Sequence, residues 1–317
     1  MNKFLILFLA VASFGLISET SGFAKNDDIN IFYVDYGPTD NEPILLVQGL
    51  GGQLTFWPEE LITLLQSNGF RPIVYDNRDI GLSDGFEEYG KPNYIWNYIK
   101  FYLGLPLKSA YSLSDMAEDG IAVLNDLKID ETHLLGISMG GMITQRMVAD
   151  HENRFKSYIL IASMARTPDL KTAPKGELKR LIEDRSFNNQ TIEERVNRSL
   201  KIYKILGSPG VELDEEQFAI EARANIDRSP NDTGFTRQLI AILADKDRYN
   251  EVKNIQTPTL VIHGKIDPLI PYEEGKKTAE MMPNSKFLGV DKMSHLIDSP
   301  VLKVIDEPMV NFLKDNS

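Results

Sequence analysis

The 317-residue chain contains no cysteine. Disulfides are therefore excluded, as is lipid attachment through an N-terminal thioether, and an exported product must rest on its hydrophobic core alone. Beyond residue 17 no apolar run approaches the roughly 20 residues a membrane-spanning helix needs. Positive charge is also short: the formal net charge is −12, which opposes nucleic acid phosphates and a surface built to sit on anionic lipid. Asp and Glu are interleaved with Lys and Arg, the pattern of a solvated surface. Internal repeats and low-complexity tracts are missing too. What is present, 42% hydrophobic and 25% charged residues, suits a soluble globular enzyme of one large α/β domain with an insertion.

The N-terminus stands apart. Met1-Asn2-Lys3 supplies one positive charge, Phe4 to Ile17 is apolar, and Gly22-Phe23-Ala24 is a small-x-small site before Lys25. This predicts a cleavable signal over residues 1–24, a mature chain from Lys25, and an exported, periplasmic or secreted product. An uncleaved N-terminal anchor is the alternative; no other membrane association is expected.

The rest of the chain is organised around Leu134-Leu135-Gly136-Ile137-Ser138-Met139-Gly140-Gly141, a buried-strand run that breaks into G-x-S-x-G and continues with helical spacing through Met142 to Val148. The pattern reads as a nucleophile elbow. A serine on a sharp strand-to-helix turn needs small residues, here Gly136 and Gly140, so that strand and helix can approach. The turn also aims the Met139 N–H where an oxyanion would develop.

Upstream, Ile29–Tyr36 and Arg71–Tyr75 read as strands. Pro43-Ile44-Leu45-Leu46-Val47 is a continuous apolar run, the pattern of a strand buried on both faces. Gln48-Gly49-Leu50-Gly51-Gly52 follows it, and the Leu50 N–H is the candidate second oxyanion donor; a plain tight turn is the alternative. Phe56–Gln66 has helical spacing and stops at Asn68-Gly69. The charged loop Asp76–Asp84 reads as structural, with Arg78 held by neighbouring carboxylates. The aromatic-rich insertion Tyr94–Leu103 is either a lid that contacts substrate through Trp96 and Phe101 or a helix packed on the core. Ser112 caps a further amphipathic helix to Leu127.

Downstream, Tyr158–Ala162 is a buried strand, and residues 166–244 turn helical and charged. They form an inserted cap, leaving 25–165 and 245–317 as the core. Strands return at Thr259–Gly264 and Lys286–Val290. A serine nucleophile needs a base, and the base needs a carboxylate to fix its tautomer. Of the four histidines, His133 and His151 read as surface residues and His263 as packed. His295 alone lies in a loop after the last strand, downstream of Asp267 in the matching loop after the previous one. Asp169, in the loop after the strand that follows the elbow, is the rival acid.

With these residues placed, the chain resembles the α/β-hydrolases, and more narrowly the bacterial branch similar to aclacinomycin methylesterase. The matching stretches are Gly49–Glu60, Tyr75–Ser83, Leu113–Ala117, Gly136–Met142 and Ile262–Pro268. Where the wider superfamily often has His-Gly, this chain has Gln48-Gly49, which leaves the backbone donor intact. The resemblance implies an α/β-hydrolase fold, a mostly parallel central sheet flanked by helices with a helical cap, and serine-hydrolase chemistry.

The expected reaction is hydrolysis of a small-molecule carboxylic ester through an acyl-enzyme. Ser138 attacks, His295 moves the proton, Asp267 orients His295, and the N–H groups of Leu50 and Met139 hold the oxyanion. No cofactor and no metal are implied. Alternatives are an amide or peptide hydrolase on the same three residues, a perhydrolase-like side activity and, from another class, a non-catalytic binding protein on this scaffold. Peptide-cleaving relatives hold the substrate's amino terminus with cap carboxylates. The cap acids Glu177, Glu183, Asp184, Glu193 and Glu194 instead lie beside Lys179, Arg180, Arg185 and Arg195 at helical spacing, as on a solvated face.

Overall fold

The computed structural model describes residues 19–90, 92–169, 171–182, 190–229 and 233–317. The apolar runs become one eight-stranded sheet in the order β1-β2-β4-β3-β5-β6-β7-β8. Its strands are β1 (Thr20–Asn26), β2 (Ile29–Asp35), β3 (Glu42–Val47), β4 (Phe70–Tyr75), β5 (Thr132–Ile137), β6 (Phe155–Ile161), β7 (Thr259–Gly264) and β8 (Ser285–Val290). From β4 to β8 every pairing is parallel, and β1 and β2 form an antiparallel hairpin at one edge. All residues of β4, β5 and β7 are buried. That is why they read as unbroken apolar runs and not as alternation.

Helices cover both faces. They are α1 (Glu59–Ser67), α2 (Tyr94–Tyr102), α3 (Leu113–Asp126), α4 (Met139–Asp150), α5 (Gly176–Ile182), α6 (Ile192–Leu206), α7 (Glu215–Arg228), α8 (Gly234–Ala244), α9 (Tyr249–Val252), α10 (Tyr272–Met281) and α11 (Ser299–Lys314). Two apolar clusters result. One packs α3 and α4 against Leu45, Val47, Leu134 and Leu160, and the other packs α1 and α11 against Leu46, Leu135, Ile159 and Ile262. Alternate residues of each strand thus feed opposite layers. Helix α3 starts as expected, with Ser112 and Asp115 in a reciprocal capping box. Helix α1 starts later than its apolar spacing suggests, because Leu54–Phe56 forms a 3-10 turn and Pro58 occupies the N-cap. No helix among the described residues is long and apolar enough to cross a membrane.

Residues 1–18 of the expected signal lie outside the described residues. The expected boundary after Ala24 falls inside β1, where Ala24 is buried and pairs with Ile31. A junction there would leave only Lys25 and Asn26 of the strand. Between β6 and β7 lie α5 to α8, of which α6, α7 and α8 reach the loops at the carboxyl ends of the strands through Leu206, Arg228 and Gln238; Glu183, Asp184 and Arg185 of the expected cap lie outside the described residues.

His133 differs from its expected surface position. It is fully buried in β5, with Nδ1 2.8 Å from Ser157 Oγ and the Phe70 ring edge-on at 5.6 Å. Burial pushes its pKa down from 6.5 to about 4, with the Glu42 charge offsetting only part. The sign follows directly. Below about 6.5 the unfolded chain takes up a proton that folded His133 refuses, so stability present above 6.5 is lost as the pH falls towards 4. The loss is of the order of 3 kcal/mol. A His133→Asn variant lacks this titration, so its melting-temperature gap to wild type should shrink between those pH values. A constant gap would mean that folded His133 takes up its proton at the same pH as the unfolded chain does.

Candidate active site

The elbow is formed by backbone strain and close approach. Ser138 lies between β5 and α4 with φ 55° and ψ −122°, a conformation unusual for a residue with a side chain. Its N–H bonds to Ile161 O at 3.0 Å, and its carbonyl accepts the Ser163 hydroxyl at 2.7 Å, so β6 holds the turn from below. A Cβ on Gly140 would lie 2.0 Å from Val47 O, which is why α4 can start directly against the end of β3.

Two loops converge on the half-buried Ser138. After β8, His295 places Nε2 3.0 Å from Ser138 Oγ. After β7, Asp267 Oδ2 lies 2.7 Å from His295 Nδ1, and Oδ1 accepts the N–H groups of Leu269 and Ile270 at 2.8 and 2.9 Å. Burial alone would raise this carboxyl. It is outweighed by the charge of His295 and by hydrogen bonds from His263 and His295, which hold Asp267 ionised well below the usual carboxylate range. The three residues therefore form one continuous hydrogen-bonded line. Asp169 is not in it: its carboxylate pairs with Arg166 and accepts the N–H groups of Lys171 and Thr172.

The Gln48–Gly52 loop closes over the serine. A Cβ on Gly49 would meet Ser138 Cβ at 3.1 Å, so the loop backbone passes directly beside the Ser138 side chain. Neither Leu50 nor Met139 donates its N–H to a backbone acceptor among the described residues. Gln48 accepts the Gly49 N–H through its own side chain, while its carbonyl accepts Asn77 Nδ2 at 2.9 Å.

Further support comes from the cap, which sequence reasoning did not foresee. Gln238 on α8 accepts the Gly51 N–H at 2.9 Å and donates to Arg78 O at 2.9 Å. The carbonyl of Leu206, at the end of α6, accepts the His295 N–H at 2.9 Å, and Ser208 Oγ accepts that of Ser294. Both loops that flank Ser138 are thus gripped from above.

The charged loop Asp76–Asp84 is structural, as expected, but its pairings differ. Arg78 is held by Asp119 of α3 at 2.6 Å, not by its sequence neighbours. Asp79 instead takes a two-pronged bond from Arg237 of α8, both contacts at 2.6 Å, and Asp76 pairs with Arg228 of α7 at 2.7 Å. Buried Arg–carboxylate pairs of this geometry fix orientation, and removing one partner strands a charge.

Trp96 and Phe101 sit on α2, none of whose described side chains is buried, so the core-packed alternative does not hold. Trp96 is 54% exposed, with the Lys100 ammonium 5.7 Å from its ring. Phe101 is half-buried and edge-on to Tyr102 at 6.0 Å. The helix lies against α8. No hydrogen bond or ring contact ties either residue to Ser138, His295 or Asp267 among the described residues.

The sheet order, the strained serine at a strand end and the crossing helices define an α/β-hydrolase. The chain belongs to the alpha/beta hydrolase fold family, whose model matches residues 42–297. Rhodomycin D methylesterase DnrP of Streptomyces peucetius is 24% identical over 289 residues, 86% of this chain and 91% of that protein. The bifunctional esterase/perhydrolase DCH of Acinetobacter calcoaceticus is 24% identical over 295 residues, 91% of this chain and 97% of that protein. Among solved structures, the esterase EaEST from Exiguobacterium antarcticum shares the fold with a TM-score of 0.70 at 22% identity, over 93% of this chain and 100% of that one.

Proposed function

We propose that the protein is a serine hydrolase of carboxylic esters. The observation that carries this reading is the line Ser138 Oγ, His295, Asp267, with contacts of 3.0 and 2.7 Å, at the mouth of a strained elbow. In this mechanism His295 Nε2 takes the Ser138 proton as Oγ attacks the ester carbonyl. Negative charge gathers on the carbonyl oxygen between the N–H groups of Leu50 and Met139. His295 then hands its proton to the departing alcohol, leaving an acyl-enzyme, and the same base activates the water that releases the acid. Asp267 holds the imidazole in the tautomer with the proton on Nδ1 and steadies the cation that forms.

Two lines support ester over peptide. The relatives at 24% identity carry esterase names, and two of the described cap acids, Glu193 and Glu194, are engaged on the surface. Glu193 pairs with Arg223 at 2.7 Å, and Glu194 closes the capping box of α6 with Thr191. A peptide's ammonium group would have to displace such partners.

The test is a panel that pairs p-nitrophenyl esters of increasing acyl length with aminoacyl p-nitroanilides. Faster turnover of the short esters is expected; faster turnover of the anilides would replace the ester reading with an amide one. We further propose that Trp96 and Phe101 contact the acyl group, so that Trp96→Ala changes the ratio of short- to long-chain rates by roughly tenfold, the size of about 1 to 2 kcal/mol of apolar contact. An unchanged chain-length profile in the folded variant would remove Trp96 from the substrate site.

A further inference from the structure

His263 is the next-to-last residue of β7 and is fully buried. Its Nε2 lies 3.0 Å from the carbonyl oxygen of Ile270 and 3.5 Å from Asp267 Oδ2. A carbonyl and an ionised carboxylate can only accept, so the proton of this ring is on Nε2. Nδ1 has no hydrogen-bond partner among the described residues and faces the backbone of α10, where a Cβ on Gly275 would come within 2.1 Å of it. A second proton on Nδ1 would therefore be a buried N–H without an acceptor among the described residues.

The other groups around the ring leave this assignment alone. Tyr272, at the start of α10, stands edge-on with its ring centre 6.2 Å away. The β8 residue registered with His263 is Gly289, and β6 contributes Ile161 beside Ile262. Asp267 is thus the ionisable partner in reach of the imidazole N–H. Asp267 Oδ2 faces His295 on one side and His263 on the other, while Oδ1 is fixed by the two backbone N–H groups of its own turn.

We infer that His263 is a positioning residue for the acid of the site, its single N–H spanning Ile270 O and Asp267 Oδ2 and so fixing the rotation of the carboxylate towards His295. A leucine would fill the same volume and supply no donor. Asp267 would then be held on one oxygen only, free to turn Oδ2 away from the His295 N–H, and the imidazolium formed during turnover would be less well stabilised. This inference rests on the reading of Ser138, His295 and Asp267 as a hydrolytic triad.

The experiment compares His263→Leu and His263→Gln, each confirmed as folded by its melting profile, with wild type and Ser138→Ala on a short p-nitrophenyl ester across pH. The leucine variant is expected to lose about 10- to 100-fold in kcat, the range of one hydrogen bond to a charged group, with little change in KM. Its acid limb should move to lower pH, because a less securely held carboxylate favours protonated His295 less. Glutamine, whose amide N–H reaches as far as Nε2, should restore both kcat and the limb. A purely packing role predicts the reverse ordering, with leucine active and glutamine impaired, and that result overturns the inference. So does a folded leucine variant with wild-type kcat and acid limb. If leucine does not fold, a folded glutamine variant with a displaced limb overturns it equally. Retained activity in Ser138→Ala would overturn the triad reading itself, an outcome distinct from failure at His263.

Discussion

Ser138→Ala is expected to lower the turnover of short p-nitrophenyl esters by at least about 10⁴-fold and to leave the fold intact. The size follows from what the hydroxyl does. Its Oγ is the atom that bonds to the acyl carbon, and with it gone only the oxyanion N–H groups and binding remain to favour the reaction. Alanine also relieves nothing in the backbone, since the strained φ of 55° belongs to the turn and persists. A fluorophosphonate should label wild type at Ser138, as found by mass spectrometry, and should not label the variant. The wild-type rate should fall on acidification as His295 takes up a proton and ceases to be a base. Label on a different residue, or ester turnover surviving in the variant, would end the serine-hydrolase reading.

Asp267→Asn should have the next largest effect, up to about 10⁴-fold in turnover. The substituted amide can present its NH₂ to His295 Nδ1 and drive the proton to Nε2, the atom that must accept from Ser138 Oγ. It also removes the charge that steadies the imidazolium. Asp169→Asn, by contrast, should leave turnover nearly unchanged. That carboxylate is spent on Arg166 and on the N–H groups of its own turn, and it makes no contact with His295 among the described residues. The two variants side by side discriminate cleanly, and a larger loss for Asp169→Asn would transfer the role of acid to it.

Much of this site was legible because the chemistry demands rare residues at strand ends. Strands buried on both faces, such as β5 and β7, leave unbroken apolar runs, and the loops that follow them carry Ser138 and Asp267. With four histidines in the chain, one lying after the last strand, the histidine that meets Ser138 could be picked out by position. The misreadings share a cause. His133 precedes an apolar run and resembles the exposed start of a strand, yet Phe70 from β4 and Ser317 from the C-terminus cover it. Arg78 sits among aspartates, but Asp76 and Asp79 are claimed by cap arginines 152 and 158 positions away, and Arg78 is left to Asp119. Burial by distant segments and competition for charge partners are properties of the assembled fold, and local pattern carries no trace of them.

The grip of α6 and α8 on the two loops beside Ser138 has a consequence for how such proteins diverge. Leu206 holds the His295 backbone and Gln238 holds Gly51, so the segment between β6 and β7 also fixes the backbone of both loops beside Ser138. Exchanging that segment between relatives is then no simple change of substrate range. A transplanted cap that lacks a carbonyl at the end of α6 or an amide at the Gln238 position would bring a new pocket over slackened machinery, and a working hybrid would have to carry its grip points along with its walls.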